Sequence, residues 1–180
     1  MTHPANMRGF SLVEVMVALI IISVGMLGIA KLEALALSST AISRTRALAA
    51  LEASSMAAAM RADRDYWAVA PAATTSVDTT TNPGTFTSSD AALQTAATTP
   101  PNCVGSSCTP VNMAGYDLSN WGSDLAGVLP GAQASIACNL VNAAEACSIT
   151  LKWQENTVNA NSQETGTSFQ SQTYQLVVEP

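Results

Sequence analysis

Between Phe10 and Ala30 the chain carries one charge, Glu14, in a run of otherwise apolar or small residues. A helix of about 21 residues, rising roughly 1.5 Å per residue, is about 31 Å long, close to the hydrocarbon core of a bilayer. The run is apolar all round, as a membrane span is, and lacks the wet face of a surface helix. Beyond Lys31 the pattern changes. Leu32, Leu35, Ile42, Ala49, Met56 and Met60 recur at threes, fours and sevens, the spacing of an amphipathic helix. No proline lies between Pro4 and Pro71, so one helix is predicted from Phe10 to about Arg64. Gly25 and Gly28 soften its apolar part, where glycine is tolerated better than in water. Residues 10–36 have no head to cover them, so lipid or neighbouring helices must.

The pattern after the helix is weaker at first. Arg61-Ala62-Asp63-Arg64-Asp65 reads as a solvated helix end. Residues 67–115 are mostly Ala, Thr, Ser, Pro and Asn, and read as a long irregular loop. A loop of that length in a compact domain is functional or poorly ordered. Asp117 to Gly131 reads as a short helix, with Trp121, Leu125 and Leu129 on one face and Pro130-Gly131 as its stop. Three strands are expected next. The first is Ala134–Leu140. The second, Ser148–Gln154, sets Ile149, Leu151 and Trp153 on one face, and the third, Thr173–Glu179, does so with Tyr174, Leu176 and Val178. A small antiparallel sheet with one apolar face needs a cover, which the outer half of the long helix can supply. The expected class is therefore α+β. Its parts are a leader (1–9), the membrane half of the helix (10–30), its outer half (31–66), the loop region (67–115) and a head of short helix and sheet (116–180).

Charge and cysteine usage narrow the chemistry. Residues 31–65 hold five basic and four acidic residues, whereas the chain from Tyr66 onward has eight acids against one base, Lys152. Such an acidic head has no footprint for nucleic acid, whose binding needs Lys and Arg on phosphates. Arg8 stays inside and the acidic part goes out, with Lys31 a mild exception to the positive-inside rule. The four cysteines, Cys103, Cys108, Cys138 and Cys147, all fall in the part placed outside and read as two disulfides. Three pairings are open. The local ones, Cys103–Cys108 and Cys138–Cys147, are favoured because each closes a short loop, worth about 2 to 3 kcal/mol. The spacings suit a zinc site poorly. The sole histidine, His3, lies in the leader, and no phosphate loop or paired-acid motif appears. Triad hydrolases and zinc hydrolases each lose a needed part, so no enzyme, metal or cofactor is expected.

Glu14 is the anomaly of the apolar run. A charge well inside a bilayer costs about 2.5 to 3.5 kcal/mol on insertion scales. The cheapest partner is an α-amine on Phe10, freed by a cut after Gly9. A secretory signal peptide cut near Ala34-Leu35-Ala36 competes, but its apolar region would be long and would hold an acid. A plain single-span anchor also competes. A lipoprotein does not, since no cysteine precedes Cys103.

The pattern Arg8-Gly9-Phe10-Ser11-Leu12-Val13-Glu14, followed by an apolar run, resembles the processing site of type IV pilins and type II secretion pseudopilins. The resemblance implies that a prepilin peptidase cuts between Gly9 and Phe10 on the cytoplasmic side and methylates Phe10. It makes Glu14 the assembly glutamate at mature position five, and implies the type IV pilin fold. Within the family, the run from Gly9 to Leu32, Met60 to Arg64, Trp121 to Pro130 and Ile149 to Glu155 are similar to the minor pilins called type IV pilus modification protein PilV. That likeness implies a structural subunit in a minor-pilin complex that primes assembly near the tip, upstream of twitching, adhesion or DNA uptake. Its partners would be other minor pilins, the major pilin and the peptidase. It would reside in the inner membrane, head periplasmic, and then on the pilus surface. A minor pseudopilin of type II secretion is the alternative, and a membrane-anchored or secreted binding domain a further one.

Overall fold

A single helix, α1 (Leu12–Ala62), takes in both the apolar run and the amphipathic stretch. The computed structural model describes residues 11–69, 74–80, 85–129, 131–141, 144–157 and 168–180. The backbone divides into two compact units, Met1–Ala41 and Ile42–Pro180. The first consists, among the described residues, of the apolar part of α1. The second holds the rest of α1, then α2 (Arg64–Trp67), β1 (Thr74–Asp78), β2 (Thr85–Ser88), α3 (Ala91–Thr98), α4 (Pro110–Val128), β3 (Gln133–Val141), β4 (Ala144–Thr157) and β5 (Ser168–Val178).

The outer part of α1 buries one narrow face. Ala49, Ala53, Met56, Ala57 and Met60 are sequestered from solvent, at the threes and fours that align side chains along a helix. The alanines let neighbouring elements come close, and the methionines fill the space between them. Facing this stripe is an antiparallel sheet of order β2-β1-β3-β4-β5. Its inward positions alternate as a half-buried sheet requires. Ile136 of β3, Ile149, Leu151 and Trp153 of β4, and Val178 of β5 are buried. The long helix thus packs on a small five-stranded antiparallel sheet, an α+β arrangement consistent with the type IV pilin fold. Trp121 of α4 locks this core from the side, its indole N–H donating to the Glu52 carbonyl of α1 at 2.9 Å.

Residues 67–115 are more structured than their composition suggests, and the reading of that region as one irregular loop is corrected. It contains β1, β2, α3 and the start of α4. The inward side of β1 is carried by Val77 and Thr75, and the Thr75 hydroxyl pairs with Ser88 Oγ across the strands at 3.0 Å. Asp90 caps α3 by accepting from the N–H groups of Ala92 (2.9 Å) and Leu93 (3.4 Å). Below that cap, Leu93, Ala96 and Ala97 face inward. Large side chains are unnecessary because α3 lies against α4 at close range. A Cβ on Gly115 would collide with Ala96, and one on Gly122 would approach Phe86 of β2. The helix expected from Asp117 begins instead at Pro110, with Thr109 before it, a start signal suited to proline's fixed φ. The α1 helix ends at Ala62, the first two expected strands are present with wider bounds, and the third starts earlier, at Ser168, and ends at Val178 rather than Glu179.

Candidate functional site: the uncovered N-terminal helix

The start of α1 is built locally. The Ser11 carbonyl accepts from the N–H groups of Glu14 (3.0 Å) and Val15 (3.2 Å), which places Glu14 in the first helical turn. There the helix dipole favours a negative charge. Glu14 is exposed and has no side-chain partner among the described residues. Gly9 and Phe10 lie outside the described residues.

Every apolar side chain from Leu12 to Leu32 is exposed. Leu12 is 75% exposed and Val15 48%, and Leu19, Ile20, Ile21, Ile22, Leu27 and Ile29 lie between those limits. Covering each would be worth about 1.5 to 3 kcal/mol, so a bare helix of this kind is strongly driven into lipid or against other helices. The helix is long and apolar enough to cross a membrane. Within the run the Ser23 hydroxyl donates to the Leu19 carbonyl at 2.7 Å, so this side chain presents no unmet donor to lipid. Gly25 and Gly28 have open space beside them, which makes them points of close approach for another helix.

One family model matches this stretch. Residues 4–30 carry the prokaryotic N-terminal methylation motif. The motif indicates a type IV pilin-like or pseudopilin-like prepilin, and its bounds enclose Gly9, Phe10 and Glu14. It implies prepilin peptidase processing and a setting in pilus assembly, and points to a structural protein rather than an enzyme. Together, the motif and the apolar helix fit membrane anchoring and a place on the pilus surface. No curated protein and no solved structure matches the chain.

In the second unit, Cys103 and Cys108 form a disulfide with Cα atoms 5.7 Å apart. Cys138 and Cys147 form the other, directly opposite one another on β3 and β4. Among the described residues no group of three or more His, Cys, Asp or Glu could hold a metal ion.

Two charged features escape a reading of the sequence. Glu155, near the end of β4, is buried, yet its carboxylate accepts from Arg46 Nε at 3.1 Å and Nη2 at 2.9 Å, and from the Trp153 indole N–H at 3.0 Å. The Arg46 hydrogen bonds, followed by the indole and the Arg46 charge, hold its pKa below the ordinary carboxylate value against the opposing effect of burial. The second is Asp63. Arg61, Arg64 and Asp65 are exposed as a solvated helix end should be, but Asp63 is 9% exposed. It departs from helical geometry between α1 and α2, with φ −108° and ψ 58°, which turns it inward. Burial first, then the charges of Asp117 and Asp65, push its carboxyl up to about 6.

Proposed function

We propose that this chain is a minor pilin of the type IV pilus, a structural subunit of a minor-pilin complex that primes assembly near the filament tip. The observation that carries the reading is the methylation motif set on an apolar helix whose side chains from Leu12 to Leu32 are exposed among the described residues. A prepilin peptidase removes residues 1–9 and methylates Phe10, and the span stays on the mature protein. The subunit waits in the inner membrane with its head in the periplasm, and Glu14 then meets the α-amine of a neighbouring subunit during docking. The minor role, and the likeness to PilV, is supported by the segments Met60 to Arg64, Trp121 to Pro130 and Ile149 to Glu155. Glu155 closes the last of them and takes part in the ion pair with Arg46.

Intact-mass spectrometry of membrane-extracted protein tests the processing. The expected mass is that of residues 10–180 plus one methyl group. A mature start at Leu37 would establish a secretory signal peptide and end the pilin reading. Co-purification tests the assembly role. Recovery with minor pilins supports it, and recovery with secretion pseudopilins would assign the chain to type II secretion.

A further inference from the structure

The sheet has two edges, and only one of them is closed. At the β2 edge the Gln94 side chain of α3 takes the place of a further strand. Its Oε1 accepts from the Ser88 N–H at 2.6 Å, and its Nε2 donates to the Phe86 carbonyl at 2.8 Å. The other edge is β5, which is 11 residues long against 4 for β2. The Ser89 N–H bonds to the Thr74 carbonyl, which fixes the hydrogen-bonded pairs of the β1–β2 ladder, and the registers carry that alternation across the sheet. On this count Cys138 and Cys147 form a non-hydrogen-bonded pair, in keeping with their Cα separation of 4.0 Å. On β5 the alternation turns the N–H and C=O groups of Tyr174 and Leu176 toward β4, and those of Ser171, Thr173, Gln175 and Val177 away from the sheet. That outward row has no hydrogen-bond partner among the described residues.

We propose that the β5 edge accepts an extended segment of another protein as an added strand. The row itself names the occupant, because alternating unpaired donors and acceptors at strand spacing are complementary to an extended peptide backbone. Charges and prolines blunt exposed edges in other sheets, and Ser168–Val178 contains neither. The side chains of β5 state what the incoming strand must carry. Tyr174 and Leu176, on the inward face, are only partly buried, so apolar residues beside them would extend the core. Ser171, Thr173 and Gln175 are exposed on the opposite face, where polar residues suit. A second copy of the chain is a poor occupant. Antiparallel pairing of two β5 strands turns one unit end over end relative to the other, so their α1 segments from Ile42 run in opposite directions. Two chains anchored in one membrane cannot both do this. That exclusion, and the choice of another pilus protein as donor, rest on the pilin reading; the open edge does not.

The test uses the full chain, isotope-labelled and solubilised in detergent. The probe is a synthetic peptide with the sequence of Ser168–Val178, N-methylated at the positions of Gln172 and Tyr174 so that it keeps one free edge and cannot stack on itself. Antiparallel pairing centred on Thr173 sets that free edge against the outward row. A second peptide carries its N-methyl groups at Thr173 and Gln175 instead. Its side chains are unchanged, but its free edge reaches β5 only with the apolar side chains turned to solvent. With the first peptide, saturable NMR shifts and slowed hydrogen exchange are expected at the amides of Ser171, Thr173, Gln175 and Val177. The second should bind roughly tenfold more weakly or not at all. Thr173→Pro removes an outward N–H without touching the ladder to β4, and should weaken the first peptide roughly tenfold. The two peptides are compared on the native chain, so the test stands if the proline disturbs folding. No saturable shift at those amides, equal binding of both peptides, or a dimer of the full chain that protects the same amides without a peptide would overturn the proposal. Any of those results would leave the mass of the processed chain, and so the pilin reading, unaffected.

Discussion

Arg46 and Glu155, 109 residues apart in sequence, meet in a bidentate ion pair in which one partner is largely in water and the other is buried. The exposed guanidinium caps an inward-facing carboxylate on the sheet, so the outer part of α1 is tied to β4 by charge as well as by apolar packing. Glu155→Ala should lower stability by about 1.5 to 3 kcal/mol, the range for a lost hydrogen bond to a charged group. Glu155→Gln should cost less, because an amide oxygen can still accept from the Trp153 indole. Because the Glu155 pKa is depressed, its contribution is present above the unfolded carboxylate value, near pH 4, and drains as the pH falls further. Urea unfolding of the three chains at pH 7 and pH 3 checks this. A loss in Glu155→Ala that persists unchanged at pH 3 would show that the carboxylate's charge plays no part.

The closest helix contact makes a prediction of opposite sign at two glycines of the same helix. Alanine favours a helix interior by about 1 kcal/mol over glycine. At Gly127, where nothing lies within 4 Å of a new Cβ, Gly127→Ala should realise part of that gain. At Gly115 the new methyl would run into the side chain and backbone of Ala96, and a backbone cannot step aside as a flexible side chain can. Gly115→Ala should therefore lose about 1 to 3 kcal/mol through overpacking. Thermal unfolding of the two variants decides it. Equal midpoints would mean that α3 is free to move away from α4.

These contacts show why some of the fold was legible in the sequence and some was not. The long helix and β3 to β5 announce themselves through large apolar side chains at the right period, as in Ile149, Leu151 and Trp153. Strand β1 uses Thr75 beside Val77 for its inward side, and the hydroxyl is buried only because Ser88 answers it. Helix α3 is held by alanines and a glycine on its neighbour, letters that a hydropathy pattern passes over. The Thr109-Pro110 start of α4 was readable and is a known signal. At the candidate site, Gly9, Phe10 and Glu14 form a local motif, complete within a few residues of chain. Arg46 with Glu155, and Asp63 with Asp117, become partners only once the chain is folded, and no local spacing encodes them.

The pH dependence of stability should carry the mark of Asp63. Its folded pKa, about 6, is above the unfolded carboxyl value, so the folded chain holds a proton that the unfolded chain releases. Its stabilising share is present at and below about pH 4 and is lost as the pH rises through 6, on the order of 2 to 3 kcal/mol at most. Asp63→Asn should remove this drift and be more stable than the native chain at pH 7. Unfolding free energies at pH 4.5 and 7 for both chains would show it. Parallel slopes would rule out Asp63 as the source.

Glu14→Val separates membrane insertion from assembly. Under the pilin reading, the carboxylate of Glu14 is costly alone in lipid and so is the α-amine of the next subunit's Phe10. Valine removes one of these charges from a helix whose other side chains around it are apolar. Insertion and cleavage after Gly9 should therefore proceed as before or slightly better. Docking should fail, because the neighbour's amine is left unpaired in a low-dielectric bundle, a penalty of about 3 to 5 kcal/mol where a buried pair loses one partner. The expected variant is processed, stable and membrane-resident, co-purifies poorly with other pilins and supports few surface pili. The head fold, which lies in the unit beginning at Ile42, should be unaltered, so circular dichroism and disulfide mapping should match the native chain. Wild-type pilus numbers and partner recovery in this variant would show that Glu14 has no pairing role. Loss of cleavage instead would place its role at the peptidase, a step earlier than docking.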